Sequence, residues 1–377
     1  MIFEIITYIS IFFQSLIVIT LTINAVFGPF LKNFRKKNKE LSGVKHKVSV
    51  LVPARNEEKN IDNCLKSITS FDYPDYEIIV LDDGSTDNTY KILEEYKARY
   101  KNIRILRGEQ KPENWLGKNW ACYQLAQAAE GDILIFTDAD NWHRRDAILA
   151  TIEYMDAYNL DFLSAFPQQI TKTFAEKIFV PVVDLIIYSF LILWTTLFIK
   201  SSIFAAANGQ WIAVRRSAYL RIGGHSIVKS NIVEDIELSR EFKKNGFRTL
   251  TTAGTDIVFG RMYHNFAEIL NGFSKNMYYI FGGNLFILIG IVFLLLLIGI
   301  YPYFSVFVVD SIFFPILSVL MIIIWRGILS LRYKSNLFFN IFFSPVSILF
   351  IIYIALNSYF RIKSGKVEWK GRRIKIK

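Results

Sequence analysis

Long uncharged hydrophobic segments lie near both ends of the chain, whereas the middle alternates short apolar runs with polar ones. Residues 5–31 are almost free of charge and exceed the roughly twenty residues that a helix needs to cross a bilayer. The basic cluster at 31–39 follows this segment instead of preceding it, which is typical of a retained anchor and not of a cleaved signal peptide. The pattern predicts a transmembrane anchor over residues 1–31, with residue 32 onward in the cytoplasm.

The middle of the chain has the pattern of an α/β domain. Short apolar runs predict strands at 47–54, 76–84, 103–106 and 132–140, with helical patterns between them. Such alternation indicates a parallel sheet with helices on both faces, and ligands of these sheets bind beyond the carboxyl ends of the strands. We therefore expect one cytoplasmic α/β domain over residues 45–260.

The C-terminal part of the chain reads as membrane-associated. Residues 261–280 form a helical pattern that is aromatic on one side, and they predict an amphipathic helix in the interface. Residues 281–360 hold three apolar blocks and predict a C-terminal transmembrane region. Residues 361–377 are predicted to be a basic cytoplasmic tail, which requires the last block to be a re-entrant hairpin broken near Pro345.

Composition narrows the class of partner. The 377 residues carry a formal charge of +11, which by itself fits either nucleic acid or an anionic membrane. The basic clusters directly follow apolar segments, so we expect anionic lipids and no nucleic acid as partner. Of the two cysteines, Cys64 shares a helical stripe with apolar residues, and no disulfide framework or thiolate metal site is indicated.

Acidic residues follow the predicted strands. In "ILIFTDADN", Asp138 and Asp140 are one residue apart, and side chains at i and i+2 of an extended chain point to the same side. Paired carboxylates suit a hard divalent cation, although Asp is also common in turns and helix caps. The segments "PARNEE" and "DDGSTD" also stand at predicted strand ends, which favours a binding site over a turn.

The motifs "VLVPARNEE", "LDDGSTD", "TDAD" and "VEDIELSREFKKNGFR", in this order, resemble those of the membrane-bound inverting glycosyltransferases of family 2. The resemblance covers about residues 47–280 and implies the GT-A fold, a Rossmann-like mixed sheet that binds a nucleotide-diphosphate sugar. The segment "GQWIAVRRSAYLRIGGH" resembles the acceptor-side loop of this family. The segment "GKVEWKGR" is similar to the C-terminal tail of a subgroup that glycosylates isoprenoid lipids, which includes glucosyltransferases of carotenoid acids and hopanoid-associated glycosyltransferases.

The resemblance also implies roles for individual residues. Asp140 together with Asp138 would hold Mg²⁺ or Mn²⁺ against the two phosphates, and Asp138 would also face the ribose or donor sugar. Lys118 would contact the diphosphate, the alternative being a solvated lysine. The nucleotide side comprises the residues after the first two strands: Pro53, Ala54, Arg55, Glu57, Asp82 and Asp83. The alternative for "DDGSTD" is a turn followed by a helix cap, with Ser85 and Asp87 in that part.

On the acceptor side, the resemblance makes Asp235 of "VED" the base that removes the acceptor proton. The alternative is that Glu234 and Asp235 only supply negative charge to a helix N-terminus. The other expected acceptor-side residues are Gln210, Trp211, His225, Glu234 and Arg261, with His225 contacting either the acceptor or the phosphates.

The expected activity is transfer of one sugar from a nucleotide sugar, with UDP favoured, to a membrane lipid. The Gln-x-x-Arg-Trp motif of processive synthases does not occur in the sequence, which disfavours polymer extension. The alternatives are a polyprenyl-phosphate sugar synthase, a polysaccharide synthase, or a non-catalytic membrane protein that binds nucleotide. An acceptor base at Asp235 distinguishes a transferase from a binding module.

A further apolar segment, 178–199, constrains the topology. A single crossing there would put Asp140 and Asp235 on opposite sides of the membrane, where they could not share a substrate. We therefore expect 178–199 to be an interfacial apolar element that does not span.

Overall fold

The computed structural model describes residues 1–32 and 46–365, with the backbone of 368–369 and 372–373. The chain divides into two compact units. The sheet unit comprises Pro29–Gln168 and Leu193–Met262, and the helical unit comprises Met1–Gly28, Gln169–Ile192 and Tyr263–Lys377. The anchor cluster from residue 33 onward and the tail motif from residue 366 onward lie outside the residues whose side chains are described.

The elements are numbered here along the chain. The strands are β1 (Val48–Ala54), β2 (Tyr76–Asp82), β3 (Ile103–Arg107), β4 (Ile133–Phe136), β5 (Asn141–His143), β6 (Phe162–Phe166), β7 (Gln168–Gln169), β8 (Ile212–Arg215), β9 (Thr249–Ala253), β10 (Val258–Gly260), β11 (Glu368–Trp369) and β12 (Arg372–Arg373). The helices are α1 (Ile2–Phe27), α2 (Ile61–Ile68), α3 (Thr89–Arg99), α4 (Gly117–Ala128), α5 (Ala147–Ala157), α6 (Phe174–Phe179), α7 (Val182–Phe190), α8 (Thr195–Phe198), α9 (Arg216–Arg221), α10 (Glu234–Lys244), α11 (Phe266–Ile280), α12 (Leu285–Gly299), α13 (Tyr301–Val308), α14 (Phe313–Tyr333), α15 (Leu337–Phe342) and α16 (Ser344–Lys363).

A seven-stranded sheet with the order β3-β2-β1-β4-β8-β6-β9 forms the centre of the sheet unit. The pairs β3-β2, β2-β1 and β1-β4 are parallel, as the alternation of strands and helices predicts. Strand β8 is antiparallel to both β4 and β6, so the whole sheet is mixed. The predicted alternation of strands and helices is thus confirmed for β1 to β4 and the helices α2, α3 and α4 between them.

The central strands are buried on both faces because their apolar residues run without interruption. Val50 and Val52 belong to one hydrophobic core, whereas Leu51 between them belongs to a second core. Alternate side chains of a strand point to opposite faces, so a continuous apolar run supplies both cores at once. Helix α4 covers the second core with Ala121, Cys122 and the residues that follow.

In the helical unit, helix α1 turns its polar side chains inward. Ser10 and Gln14 donate to backbone carbonyls at the end of α12, and Asn24 donates to two carbonyls at the end of α7. The apolar side chains of Phe12 and Ile19 are more than half exposed. This inside-out distribution is what a helix facing lipid requires, because buried polar groups then find partners within the protein.

Three helices of the described residues, α1, α14 and α16, are long and apolar enough to cross a membrane. The pair α11 and α12, which bends by 113°, would make a fourth if it forms one broken span. The expected transmembrane region 281–360 is therefore corrected: its first part divides into two shorter helices, α12 and α13, whereas α14 and α16 are each long enough to span. The last apolar block does break near Pro345, because α15 ends at Phe342 and α16 begins at Ser344. Pro345 lies in the first turn of α16, where its missing N–H costs no helix hydrogen bond. A re-entrant hairpin at this break stays a prediction.

The segment 178–199 forms no continuous helix. It contains the end of α6, all of α7 and α8, and the irregular residues between them. The longest of these helices has nine residues, which is too short to cross a bilayer. The expectation that this segment does not span as one helix agrees with this arrangement, and its position in the interface stays a prediction.

Candidate active site

The strand ends that were expected to bind a ligand meet at one edge of the sheet. Ala54 at the end of β1 is in register with Asp82 at the end of β2. Phe136 at the end of β4 pairs with Leu51, and the amide of Thr137 donates to the carbonyl of Leu51. The parallel register therefore brings "PARNEE", "DDGSTD" and "TDAD" together, as the sequence analysis expected.

On the nucleotide side, arginines hold the acidic loop after β2. Arg55 donates to the carbonyl oxygens of Asp83 and Gly84. Arg107, which the sequence analysis did not single out, donates to the Asp82 carboxylate at 3.4 Å and lies over the ring of Tyr90. Glu57 accepts a bond from Asn60.

Ser85 and Asp87 stabilise the loop after β1. The hydroxyl oxygen of Ser85 accepts from the amide of Asn56, and Asp87 accepts from the amides of Glu58 and Thr89. Asp87 thus acts at the N-terminal end of α3 and on the neighbouring loop, which is the local role weighed for these two residues.

A pocket opens between β1, β4, α4 and the start of α10. Its lining residues come from six separate parts of the sequence and include six of the residues expected at the site. They are Pro53, Lys118, Cys122, Phe136, Thr137, Asp138, Gly209, Ile212, His225, Glu234 and Asp235.

Lys118 joins the two acidic motifs of this pocket. Its Nζ lies 2.8 Å from Oδ1 of Asp138 and 3.1 Å from Oε1 of Glu234. Burial favours the neutral amine, but the carboxylates of Asp138 and Glu234 outweigh burial and hold the pKa of Lys118 well above its usual value. The pocket therefore contains a permanent positive charge at the N-terminus of α4, a position that also suits a bound anion.

Asp235 stands beside this cluster at the start of α10. Its Oδ2 accepts from the amide of Gly209 at 2.9 Å, and its Oδ1 accepts from the amide of Ile236 at 2.8 Å. Burial and the neighbouring carboxylate of Glu234 raise the pKa of Asp235 to about 7, although Lys118 and the two amides oppose the shift. A carboxylate with a pKa near neutrality is well matched to accept a proton at physiological pH.

Gly209 is a site residue that the sequence analysis missed. A Cβ atom at this position would lie 2.9 Å from Nζ of Lys118, so a larger residue would displace the lysine ammonium group from its position in the cluster. The Asn-Gly pair at 208–209, which is typical of a turn, is the sequence signal that points to it.

The expected acceptor-side residues fall into two groups. His225 and Glu234 line the pocket with Asp235. Trp211 instead lies fully buried in the core and donates from Nε1 to the hydroxyl of Thr151, so its side chain cannot contact an acceptor. Gln210 is also buried and bonds with Asn141, and Arg261 follows β10 outside the pocket lining.

Asp138 and Asp140 are the carboxylates expected to hold a divalent cation. They lie in the turn after β4, where the amide of Asn141 donates to the carbonyl of Asp138, and not in an extended strand. Among the described residues, no group of three or more His, Cys, Asp and Glu side chains could hold a metal by itself. Two carboxylates nevertheless fit a Mg²⁺ or Mn²⁺ ion that takes its other ligands from phosphates and water.

Comparison with known proteins gives this site a family context. Residues 49–198 match the model of the family described as "Glycosyl transferase family 2". The 4,4'-diaponeurosporenoate glycosyltransferase of Staphylococcus haemolyticus is 29% identical over 366 residues, which cover 92% of this chain and 93% of that protein. The protein of the same name from Staphylococcus aureus strain N315 is 28% identical over 70% of each chain.

Among solved structures, the mannosyltransferase PcManGT from Pyrobaculum calidifontis, in complex with GDP-Man and Mn²⁺, is similar with a TM-score of 0.49 and 15% identity. The match covers 92% of this chain and 99% of that one. The family match and the mixed sheet confirm the expected GT-A fold and the expected class of enzyme, a transferase.

We expect Asp235→Asn to lower kcat for sugar transfer by about 10² to 10⁴, because a general base contributes roughly that factor, while nucleotide affinity stays within a few-fold. The matched control is Glu237→Gln, two positions along the same helix, where the carboxylate pairs with Arg240. Loss of nucleotide binding with unchanged kcat would make Asp235 a donor-site residue instead.

The pH dependence of kcat follows from the direction in which the pKa of Asp235 is shifted, which is upward. Because the raised pKa keeps Asp235 protonated below about pH 7, kcat should increase with pH up to that value and then level off. A pH profile of kcat at saturating substrate measures this, and a profile that is flat between pH 5 and 8 would contradict the assignment.

Proposed function

We propose that this chain, which carries a glycosyltransferase family 2 domain, transfers one sugar from a UDP-sugar to an isoprenoid-type membrane lipid at the cytoplasmic face of the membrane. The transfer inverts the configuration at the anomeric carbon. The observation that carries the proposal is a single pocket with a lysine fixed between two carboxylates and, next to it, a carboxylate with a pKa near neutrality. The first feature suits a leaving diphosphate and the second suits an incoming nucleophile.

Departure of the diphosphate is assisted by positive charge. Lys118 at the N-terminus of α4 would attract the phosphate oxygens, and the helix end adds its own favourable field. Asp138 and Asp140 would hold Mg²⁺ or Mn²⁺, which supplies further neutralisation of the leaving diphosphate when bound. Lys118 would then exchange part of its contact with Asp138 and Glu234 for phosphate oxygens.

Attack by the acceptor is assisted by Asp235. The acceptor oxygen forms a bond to the anomeric carbon as the bond from that carbon to the diphosphate breaks, and the acceptor proton passes to Asp235. Attack from the side opposite the leaving group inverts the anomeric configuration. The amides of Gly209 and Ile236 fix both oxygens of Asp235, so the base does not have to be ordered during the reaction.

The membrane part of the proposal rests on the helical unit and on the relatives. Within the described residues, three helices are long and apolar enough to span, and α1 buries its polar side chains while exposing apolar ones. The relatives named above take 4,4'-diaponeurosporenoate, a carboxylate, as their substrate by name. We propose an acceptor that carries a hydroxyl group, because a hydroxyl needs the base at Asp235 whereas a carboxylate has no proton to give up at neutral pH.

Membranes containing the chain should transfer radiolabel from UDP-glucose, or another UDP-sugar of a panel, into the organic phase of a lipid extract. Membranes with Asp235→Asn serve as the control. Label in an aqueous polymer would support a polysaccharide synthase, and a labelled lipid that releases its sugar in mild acid would support a polyprenyl-phosphate sugar. The absence of label in every fraction, for all donors, would favour a non-catalytic nucleotide-binding protein.

Asp140→Ala should abolish transfer and also the effect of Mg²⁺ or Mn²⁺ on UDP binding, because one of the two carboxylates is lost. Calorimetric titration with UDP, with and without a chelator, measures the second effect independently of activity. Asp72→Ala, which removes an exposed carboxylate paired with Arg145, is the control. Wild-type transfer that is undiminished in chelator would refute the metal assignment.

The proposed topology places residues 201–260 and the tail after residue 363 in the cytoplasm. Single cysteines at Ser202, Ser230 and Ser364, in a chain without the buried Cys64 and Cys122, should resist an impermeant maleimide in intact cells and react after lysis. Labelling of the Ser230→Cys variant from outside would refute the cytoplasmic face. Labelling of the Ser364→Cys variant alone would refute only the position of the tail.

A further inference from the structure

We propose that His225 is a neutral hydrogen-bond donor of the pocket, held by Tyr219 with its proton on Nε2, and that it donates to an oxygen of the β-phosphate of the donor's diphosphate. The inference deepens the proposed function, on which the identity of the ligand rests. It assigns a chemical role to the Gly-Gly-His segment at 223–225 that the rest of the mechanism does not use.

The glycine pair brings His225 and Tyr219 together. Gly223 and Gly224 have φ angles of +90° and +56°, in the left-handed region that side chains disfavour. A Cβ atom at Gly224 would lie 2.3 Å from the ring of Tyr219, so only glycine allows this close approach. The backbone then folds His225 back over the end of α9, where both its amide and its ring reach the Tyr219 hydroxyl.

The hydrogen bonds between these two residues determine the tautomer. The backbone amide of His225 donates to the Tyr219 hydroxyl oxygen at 3.0 Å, and Nδ1 lies 2.8 Å from the same oxygen. If Nδ1 carried a proton, it too would donate to this oxygen, as the amide does. The buried hydroxyl hydrogen of Tyr219 would then have no acceptor in the described part of the chain. The hydroxyl therefore donates to Nδ1, and the neutral ring carries its proton on Nε2.

The Nε2 atom has no hydrogen-bond partner among the described residues, although His225 is only 4% exposed and lines the pocket. Burial lowers the pKa of His225 to about 4, so the ring is neutral at physiological pH and Nε2–H is a donor without a full charge. His225 lines the same pocket as Lys118 and Glu234, whose ion pair stands beside Asp235. An anion attracted to Lys118 would therefore come within the range of His225.

Binding of UDP and binding of UMP, which lacks the β-phosphate, distinguish a contact to that phosphate from contacts to the rest of the nucleotide. In the full-length protein purified in detergent, His225→Phe should weaken UDP binding about 10- to 100-fold, because a hydrogen bond to a charged group is lost. UMP binding should change less than about 2-fold. His225→Gln, whose amide can place a donor near the position of Nε2, should restore UDP binding to within about 3-fold of wild type. The same measurements with GDP and GMP cover the alternative base.

The proposed role of Tyr219 is to hold the His225 ring in the Nε2–H tautomer, and this is tested by measuring that tautomer directly. A residue with a purely structural role would not change it. Nitrogen-15 spectra of labelled histidine, with the His225 signals identified by their loss in His225→Gln, should show the Nε2–H tautomer in the wild-type chain. Tyr219→Phe should increase the Nδ1–H form and weaken UDP but not UMP, whereas Tyr100→Phe on the surface should do neither.

Three results would overturn the inference: an Nδ1–H tautomer in the wild-type chain, equal loss of UDP and UMP in His225→Phe, or no loss of either. A wild-type chain that binds UDP but transfers no sugar would refute the proposed function and leave this inference standing. A wild-type chain that binds neither UDP nor GDP would overturn both.

Discussion

The ion pairs of Lys118 with Asp138 and Glu234 connect the parts of the molecule on which the site depends. Asp138 follows a central strand, Lys118 begins helix α4, and Glu234 begins helix α10. These partly buried charges have few water molecules to solvate them, so each carboxylate stabilises the ammonium group and is stabilised by it. Removal of one partner would leave the others uncompensated, and the ion pairs therefore fix the relative positions of the three elements.

The same cluster accounts for the chemical difference between two adjacent acids. Glu234 forms an ion pair with Lys118, whereas the Asp235 carboxylate accepts hydrogen bonds from the amides of Gly209 and Ile236. Asp235 also lies next to the negative charge of Glu234. The environment keeps Glu234 in an ion pair and raises the pKa of Asp235 to about 7. When a diphosphate binds Lys118, the balance among these charges changes, and we expect the proton affinity of Asp235 to change with donor binding.

In the helical unit, too, buried polar side chains depend on partners from other parts of the chain. Its spanning candidates contain Ser, Gln, Asn and Arg side chains, and these are turned toward protein groups instead of lipid. Gln14 of α1, for example, both donates to a carbonyl of α12 and accepts from Ser318 of α14. In a hydrocarbon environment such bonds specify which helices are neighbours, because apolar side chains have no preference between lipid and one another.

Sequence patterns alone predicted the features of this protein that depend on residues close together in the chain. Continuous apolar runs predicted β1, β2 and β4, since residues buried on both faces of a sheet must all be apolar. The position of acids directly after those strands predicted the binding edge, because parallel strands end at the same edge. The hydrophobic length of α1 and of the C-terminal region predicted membrane helices, because bilayer thickness sets a minimum length.

Tertiary structure decided whatever depended on residues distant in the chain. Strand β8 inserts antiparallel between β4 and β6, and a strand's own sequence does not specify its neighbours. The family resemblance placed both Trp211 and His225 on the acceptor side, yet Trp211 is a core residue bonded to Thr151 and His225 lines the pocket. Lys118 could be a solvated lysine until the fold brought Asp138 and Glu234 to it. The partners that set a side chain's burial, charge and tautomer come from other segments, and only the folded chain brings them into contact.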